Sequence, residues 1–514
     1  MKNDSTKLTC NEIIKTVLER DIQGWFNSPI ISMPSDEDII NLTKINVHSK
    51  SGLYTSKMCG DKKGETLVYT VPAAVQLYNG VKARYMKNDY LWSIAGREKD
   101  NKVKFDNSVK ELSSRLVLYT EAPASILLCN IAQRIQHAIN KDQTGKYKFH
   151  AEGKFDGSKI RSLESKRHEY QFELEADWTF YDSNIDGEYI KAGALMLLSG
   201  MYDGSIQSKK LIYYIYKSIR TKNVVVPNKL VVELNRAVPS GHPFTTLINN
   251  YINLIYWCQI GYKIYGRDYQ KCMHVETYGD DANVFFKYSK KLFKIDTYVE
   301  ELGLKSEKLS NKIKLIKNHD DNNIDFLKRF YNSYQLKWNY KKMFDKLLYQ
   351  SKDRTILEQC EQLFSYLVTT PADQKLKQIT IDFLGFIIES EHFFELPDID
   401  REKILNLLLI SNSINEFIND YSIISDYNVL NFEVFERIYN YVRGIEFSDV
   451  YETELGFTKE RIVKIISLHI LSTNSYNVNS DVKRISNKYR IIKVFNDKIY
   501  SCLNLVDENK MKEY

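Results

Sequence analysis

The stretch "MHVETYGDDANVFFKY", residues 273–288, constrains the fold of this chain more than any other. Two β-prone runs flank Gly279, Asp280 and Asp281, which predicts a hairpin with the acids at or near its turn. Adjacent carboxylates raise each other's cost of ionisation unless something positive neutralises them. Magnesium does so with hard oxygen ligands, taking one or two carboxylates plus substrate phosphates. Taken alone, Gly-Asp-Asp also describes an ordinary polar turn, so the acids need company before they carry a chemical meaning.

That company is found upstream. In "QFELEADWTFYD" the apolar Phe172, Leu174 and Ala176 alternate with Glu173, Glu175 and Asp177, the pattern of a half-buried strand with Asp177 emerging at its end. If this strand lies beside the hairpin, the carboxylates of Asp177 and Asp280 can bridge two metals roughly 3.5–4 Å apart, the geometry of in-line phosphoryl transfer. Between them, "PSGHPFTTLINNYINLIYWCQIGY" passes from a Ser-Gly loop into a helix. Phe244, Leu247, Ile248, Tyr251, Ile255 and Cys258 share one face of it, and Thr245 and Asn249, spaced i, i+4, share another.

Composition places few limits on partners. The chain has 514 residues and a net charge of +6, which permits a polyanionic partner without demanding one. Its 7 cysteines are scattered with no C-x-x-C pair, which favours a reducing compartment over a disulfide framework or structural zinc. No apolar run approaches a membrane span, and "MKNDSTKLTCNEIIK" lacks the core of a signal peptide, so a soluble protein is expected. The first 170 or so residues mix strand-like runs ("ETLVYTVPAAVQLY") with basic clusters ("REKDNKVKFDNSVK"). After about Lys342, "ILEQCEQLFSYLV", "LKQITIDFLGFIIES" and "REKILNLLLISNSINEFINDY" repeat at helical spacing.

Asp177-x-x-x-x-Asp182, then Ser240-Gly241 with Thr245 and Asn249, then Tyr278-Gly279-Asp280-Asp281, resembles motifs A, B and C of viral RNA-dependent RNA polymerases. "FLKRFY" (Phe326 to Tyr331) resembles motif E of the picornavirus-like supergroup, which includes double-stranded RNA viruses. "SSRLVLYTEAPASILL" resembles the end of motif F, with Arg115 at its basic position.

The resemblance implies an α+β right-hand polymerase of fingers, palm and thumb, with an RRM-like antiparallel palm sheet and a mostly helical thumb. Fingers would span 1–170 and an insert at 191–235, palm 171–190 and 236–345, and thumb 346–514. Asp177 and Asp280 would be the principal ligands of magnesium, or of manganese as its substitute, with Asp281 auxiliary. Asp182 and Asn249, helped by Ser240 and Thr245, would sense the ribose 2′-hydroxyl. Gly241 would let its loop flex, and Arg115 would hold the triphosphate. Lys328 and Arg329 would contact the growing strand. Arg97, Lys99, Lys102, Lys104 and Lys110 read equally well as further phosphate contacts or as a solvated loop. In "ELGLKSEKLSNKIKLIKN" Lys312 best fits the lysine of motif D that protonates pyrophosphate, with Lys308 the alternative. Template and product RNA and nucleoside triphosphates would be the partners, joined by capsid or other replication proteins, in host cytoplasm or virion. A starting methionine and no appended protease or helicase motif suggest a separately encoded enzyme, with a processed fragment as the alternative. Two rivals are a reverse transcriptase-like palm polymerase and an inactive RNA-binding scaffold.

Overall fold

The computed structural model describes residues 8–421 apart from 42–44, 87–89, 99–113, 143–145, 150–165, 168, 180, 227–229, 317–323, 327–328, 333–334, 339, 341–342, 344–353 and 370–372. In chain order the elements used below begin with helices α1 (Cys10–Arg20) and α2 (Lys63–Ala83), strands β1 (Leu91–Glu98) and β2 (Ser114–Tyr119), helix α3 (Ala122–Asn140) and strand β3 (Phe172–Ala176). Helices α4 (Gly187–Leu198) and α5 (Ile206–Arg220), strands β4 (Lys222–Val226) and β5 (Leu230–Leu234), helix α6 (Thr245–Tyr265), and strands β6 (Met273–Tyr278) and β7 (Asp281–Phe286) follow. Strands β8 (Lys314–Leu315), β9 (Ile324–Phe326), β10 (Arg329–Asn332) and β11 (Gln335–Trp338) lead to helices α7 (Ile356–Thr369), α8 (Gln374–Glu389) and α9 (Asp398–Tyr421).

Helix α6 is the axis around which the rest is built. Its length from Leu247 to Gly261 is buried on every side, packed against α1, α4 and β6, so the two-faced helix expected from the sequence is instead a central one. Each large apolar side chain removed from water there contributes on the order of 1.5–3 kcal/mol. The polar residues among them, Asn249, Asn250, Asn253 and Gln259, are buried as well. Burial is tolerable only where hydrogen bonds replace water.

Beside α6 lies a four-stranded sheet in the order β6-β7-β3-β8, antiparallel throughout. Strand β3 is central, and its acidic face is not simply solvated: Glu173 is buried with the Arg167 guanidinium 3.4 Å away. The half-buried strand of the sequence reading is thus corrected on this point. Burial raises the Glu173 pKa and Arg167 pulls it back down.

A second sheet, β2-β1-β4-β5, unites distant segments: β1 pairs antiparallel with β2 but parallel with β4, Leu91 opposite Asn223. A third, β11-β10-β9, precedes the helices α7, α8 and α9, which correspond to the three periodic segments read from the sequence. Residues 422–514, the larger part of the expected helical lobe, lie outside the described residues.

One segment departs outright. "ETLVYTVPAAVQLY" is not strand-like but the body of α2, whose buried Leu67, Thr70, Val71, Ala74, Tyr78 and Val81 recur at helical spacing. Its β-branched residues suggested a strand, but packing against α3 and α5 decides the outcome. The Thr66 and Thr70 hydroxyls donate to the carbonyls of Lys63 and Thr66, at 3.0 Å each, so even the polar branches are accommodated inside the helix. Among the described residues no helix is long and apolar enough to cross a membrane.

Candidate active site

The hairpin closes as the sequence predicts. Tyr278 pairs with Asp281, leaving Gly279 and Asp280 as a two-residue loop. Gly279 has φ +65°, and Asp280 is not among the described residues with positive φ, the sign pattern of a type II′ turn. A side chain at position 279 would meet nothing within 4 Å, so glycine is needed here for backbone conformation and not for space.

The register of β3 against β7 runs from Phe172–Phe286 to Ala176–Ala282, and one step further brings Asp177 level with Asp281. Asp177 and Asp280 are exposed and Asp281 half-buried, on an otherwise buried hairpin and strand. Strand β3 and hairpin are therefore neighbours, and the three acids stand at one end of one sheet.

Helix α6 supports that end with asparagines that the sequence reading passed over. The Asn250 Oδ1 accepts the Gly279 N–H at 2.7 Å. The Asn253 amide donates toward the carbonyls of Gly279, Asp280 and Asp281 at 3.0, 3.1 and 3.3 Å. Its Oδ1 accepts the Trp178 indole N–H at 2.9 Å. One turn earlier, the Asn249 Nδ2 donates to the Asp182 carboxylate at 2.6 Å, bringing together the two residues expected to act as a pair. The Asn249 Oδ1 is buried and has no hydrogen-bond partner among the described residues. Three asparagines in "TTLINNYINL" were a visible signal, since buried amides inside an apolar helix need partners.

The loop before α6 is held more firmly than a flexible Ser-Gly would be. Ser240 and Gly241 are exposed, but the Gly241 N–H donates to the Leu118 carbonyl of β2 at 3.0 Å. A Cβ at 241 would stand 2.3 Å from that oxygen, so the glycine is required by close approach to a strand. The Thr245 hydroxyl lies 2.6 and 2.7 Å from the carbonyls of Pro239 and His242, tying the loop to the helix start. Below it, His242 accepts the Phe244 N–H on Nδ1 at 3.1 Å, which leaves Nε2 to donate to the Ser218 hydroxyl at 2.9 Å. Burial, with Lys222 adding to it, pulls the His242 pKa down to about 3, so the ring is neutral. The buried Lys222 amine donates to the carbonyls of Ile219, Arg236 and Ala237 at 2.7, 3.0 and 2.6 Å, and burial lowers its pKa to about 7.

The remaining expected residues are more scattered. Arg115 lies on β2 directly opposite Arg97 of β1, and Lys99, Lys102, Lys104 and Lys110 lie outside the described residues. Lys312 pairs with Glu307 at 2.9 Å, and Lys308 is exposed nearby. Their segment reaches the first acid from behind: Trp178 bridges Ser306, and the Thr179 N–H donates to the Lys305 carbonyl at 2.8 Å. Arg329 stands on β10 opposite Phe326 and Trp338, and Lys328 lies outside the described residues.

Three hard carboxylates at adjacent strand ends suit a magnesium-like cation by donor chemistry. Among the described residues, however, no three His, Cys, Asp or Glu side chains already form a group able to hold a metal ion. The strand ends are set side by side, and the carboxylates are not yet gathered.

Comparison with known proteins identifies the family. The family model of the viral RNA-dependent RNA polymerase matches residues 107–392, more than half of the chain, which therefore belongs to that family. It is an RNA-directed RNA polymerase, with RNA and nucleoside triphosphates as its substrates. An insertion-loop deletion mutant of the RNA-dependent RNA polymerase of a human picorbirnavirus superposes with a TM-score of 0.54 at 10% identity, covering 84% of this chain and 79% of that one. The RNA-dependent RNA polymerase of a human picorbirnavirus gives 0.54 at 10%, covering 82% and 76%. At such identity the likeness speaks for the fold. No curated protein matches the sequence.

Proposed function

We propose that the chain copies viral RNA by attack of an RNA 3′-hydroxyl on the α-phosphate of a nucleoside triphosphate, with Asp177, Asp280 and Asp281 as its metal-holding acids. The observation that carries this is the register of β3 and β7, which levels Asp177 with Asp281 beside a turn that exposes Asp280. When bound there, two magnesium ions, or manganese in their place, supply activation of the hydroxyl and neutralise charge on the leaving pyrophosphate.

The chain's own residues do the rest. Asp177 and Asp280 provide the principal oxygen ligands, and Asp281 supports them. Asp182 and Asn249, already hydrogen-bonded, present a polar pair to the ribose 2′-hydroxyl. Ser240 and Thr245 help that pair, and Gly241 anchors their loop on β2. Arg115, which the strand register sets opposite Arg97, binds the triphosphate. Lys312 or Lys308 donates the proton to pyrophosphate, and Lys328 and Arg329 hold the nascent strand.

In this reading the sheet β6-β7-β3-β8 with β9–β11 is the palm, within 171–190 and 236–345. The fingers are 1–170 and 191–235, their common origin supported by the pairing of β1 with β4. Helices α7–α9 begin the thumb of 346–514. Purified protein with primed RNA and magnesium or manganese should incorporate ribonucleotides. Asp280→Ala should abolish synthesis while melting temperature and RNA binding stay near wild type; full activity in that variant, or preference for deoxynucleotides, would overturn the reading.

A further inference from the structure

We infer that Asn253 is a positioning residue that locks the metal-holding turn to the strand end bearing Asp177 and sets the affinity for the divalent cation; this rests on the reading of Asp177 and Asp280 as the acids that hold it. Asn253 is wholly buried, and each of its polar atoms is spent on the site. Its amide covers the carbonyls of Gly279, Asp280 and Asp281, and its Oδ1 holds the indole of Trp178, the residue after Asp177. Trp178 is in turn fixed by Trp257 of the same helix, with ring centroids 5.7 Å apart. One side chain thus bridges the two backbone segments that carry the acids.

The bridge matters because Asp177 stands at a strand end and Asp280 in a turn, so the backbone of both sets the separation of their carboxylates. The Asn253 contacts hold the turn through its carbonyls and the strand end through the Trp178 indole. The placement also links the two tasks of the site. Asn249 and Asn253 lie one helical turn apart, about 6 Å along the axis. A shift of α6 that repositions the ribose-facing pair therefore moves the turn with it.

Two variants separate the halves of the bridge. Asn253→Asp keeps an acceptor for Trp178 but loses the donors to the turn; Trp178→Phe keeps those donors but loses the link to the strand. For each, manganese-induced thermal stabilisation is measured without RNA or nucleotide, alongside the manganese and magnesium dependence of primer extension. The expected result is a rise of about tenfold in half-saturating metal in both assays, the effect of one lost hydrogen bond. Turnover at saturating metal should fall by up to about 100-fold, as for a displacement near 1 Å. A purely structural asparagine would lower the melting temperature and leave the metal dependence unmoved. Unchanged half-saturation in Trp178→Phe, with Asp280→Ala inactive, overturns the inference and spares the polymerase reading; activity in Asp280→Ala overturns the reading itself. Should Asn253→Asp fail to fold, Trp178→Phe decides alone.

Discussion

Replacing Gly279 by alanine tests whether backbone conformation or the helix beneath it governs the turn. At φ +65° in such a turn an L-residue pays on the order of 1–3 kcal/mol, and because a Cβ there meets nothing within 4 Å, that strain is the whole cost. The turn can absorb it or escape by changing conformation. Escape means giving up the Asn250 bond to the Gly279 N–H and the two N–H groups of Asn253, three hydrogen bonds of about 0.5–1.5 kcal/mol each. The sum, roughly 1.5–4.5 kcal/mol, exceeds the strain over most of its range, so the turn should stay as it is. Gly279→Ala is therefore expected to lose about 1–3 kcal/mol of stability yet keep most of its primer extension. Differential scanning fluorimetry and extension kinetics on the same preparations measure both. An inactive alanine variant with an unchanged melting temperature would refute the reasoning, because the turn would then have relaxed away from its helix.

Gly241→Ala should behave in the opposite way: its Cβ would stand 2.3 Å from the Leu118 carbonyl, the loop must move, and turnover should fall by about 100-fold with a smaller change in melting temperature. Asn249→Ala and Asp182→Ala should each reduce discrimination against 2′-deoxynucleotides, read from competing incorporation of the two sugars; unchanged preference in both would remove the pair from that role. Lys222 has its pKa lowered from 10.5 to about 7, so the unfolded chain binds more protons between those values and stability should rise with pH across that window. Lys222→Met should remove that rise in the melting temperature, and an identical slope in both proteins would contradict the assignment.

Local signals in the sequence account for the hairpin, for β3 and for the C-terminal helices, because a turn glycine and a hydrophobic period are written in neighbouring residues. Asp182 and Asn249 were legible as a pair only through the motif spacing, and their 2.6 Å contact agrees with it. What was misread depended on distant partners. The β-branched run in α2 became helical because α3 and α5 cover it. Glu173 was read as exposed because Arg167, which meets it, is not local to the strand's alternation. The duties of Asn250 and Asn253 follow from a turn almost 30 residues further on, at separations of 29 and 26 positions. The close approach of β2 to Gly241 likewise comes from a distant segment, since Leu118 lies more than a hundred residues earlier in the chain.

The sheet β2-β1-β4-β5 carries a further consequence, for synthesis on the ribosome. Strand β1 is complete at Glu98, but its parallel neighbour is not made until Val226. At roughly 5–20 residues per second, the edge of β1 that β4 will cover waits on the order of ten seconds before its partner leaves the exit tunnel. During that interval an unpaired strand edge stands ready to join the wrong neighbour. A chaperone acting in that interval would keep the edge from wrong partners.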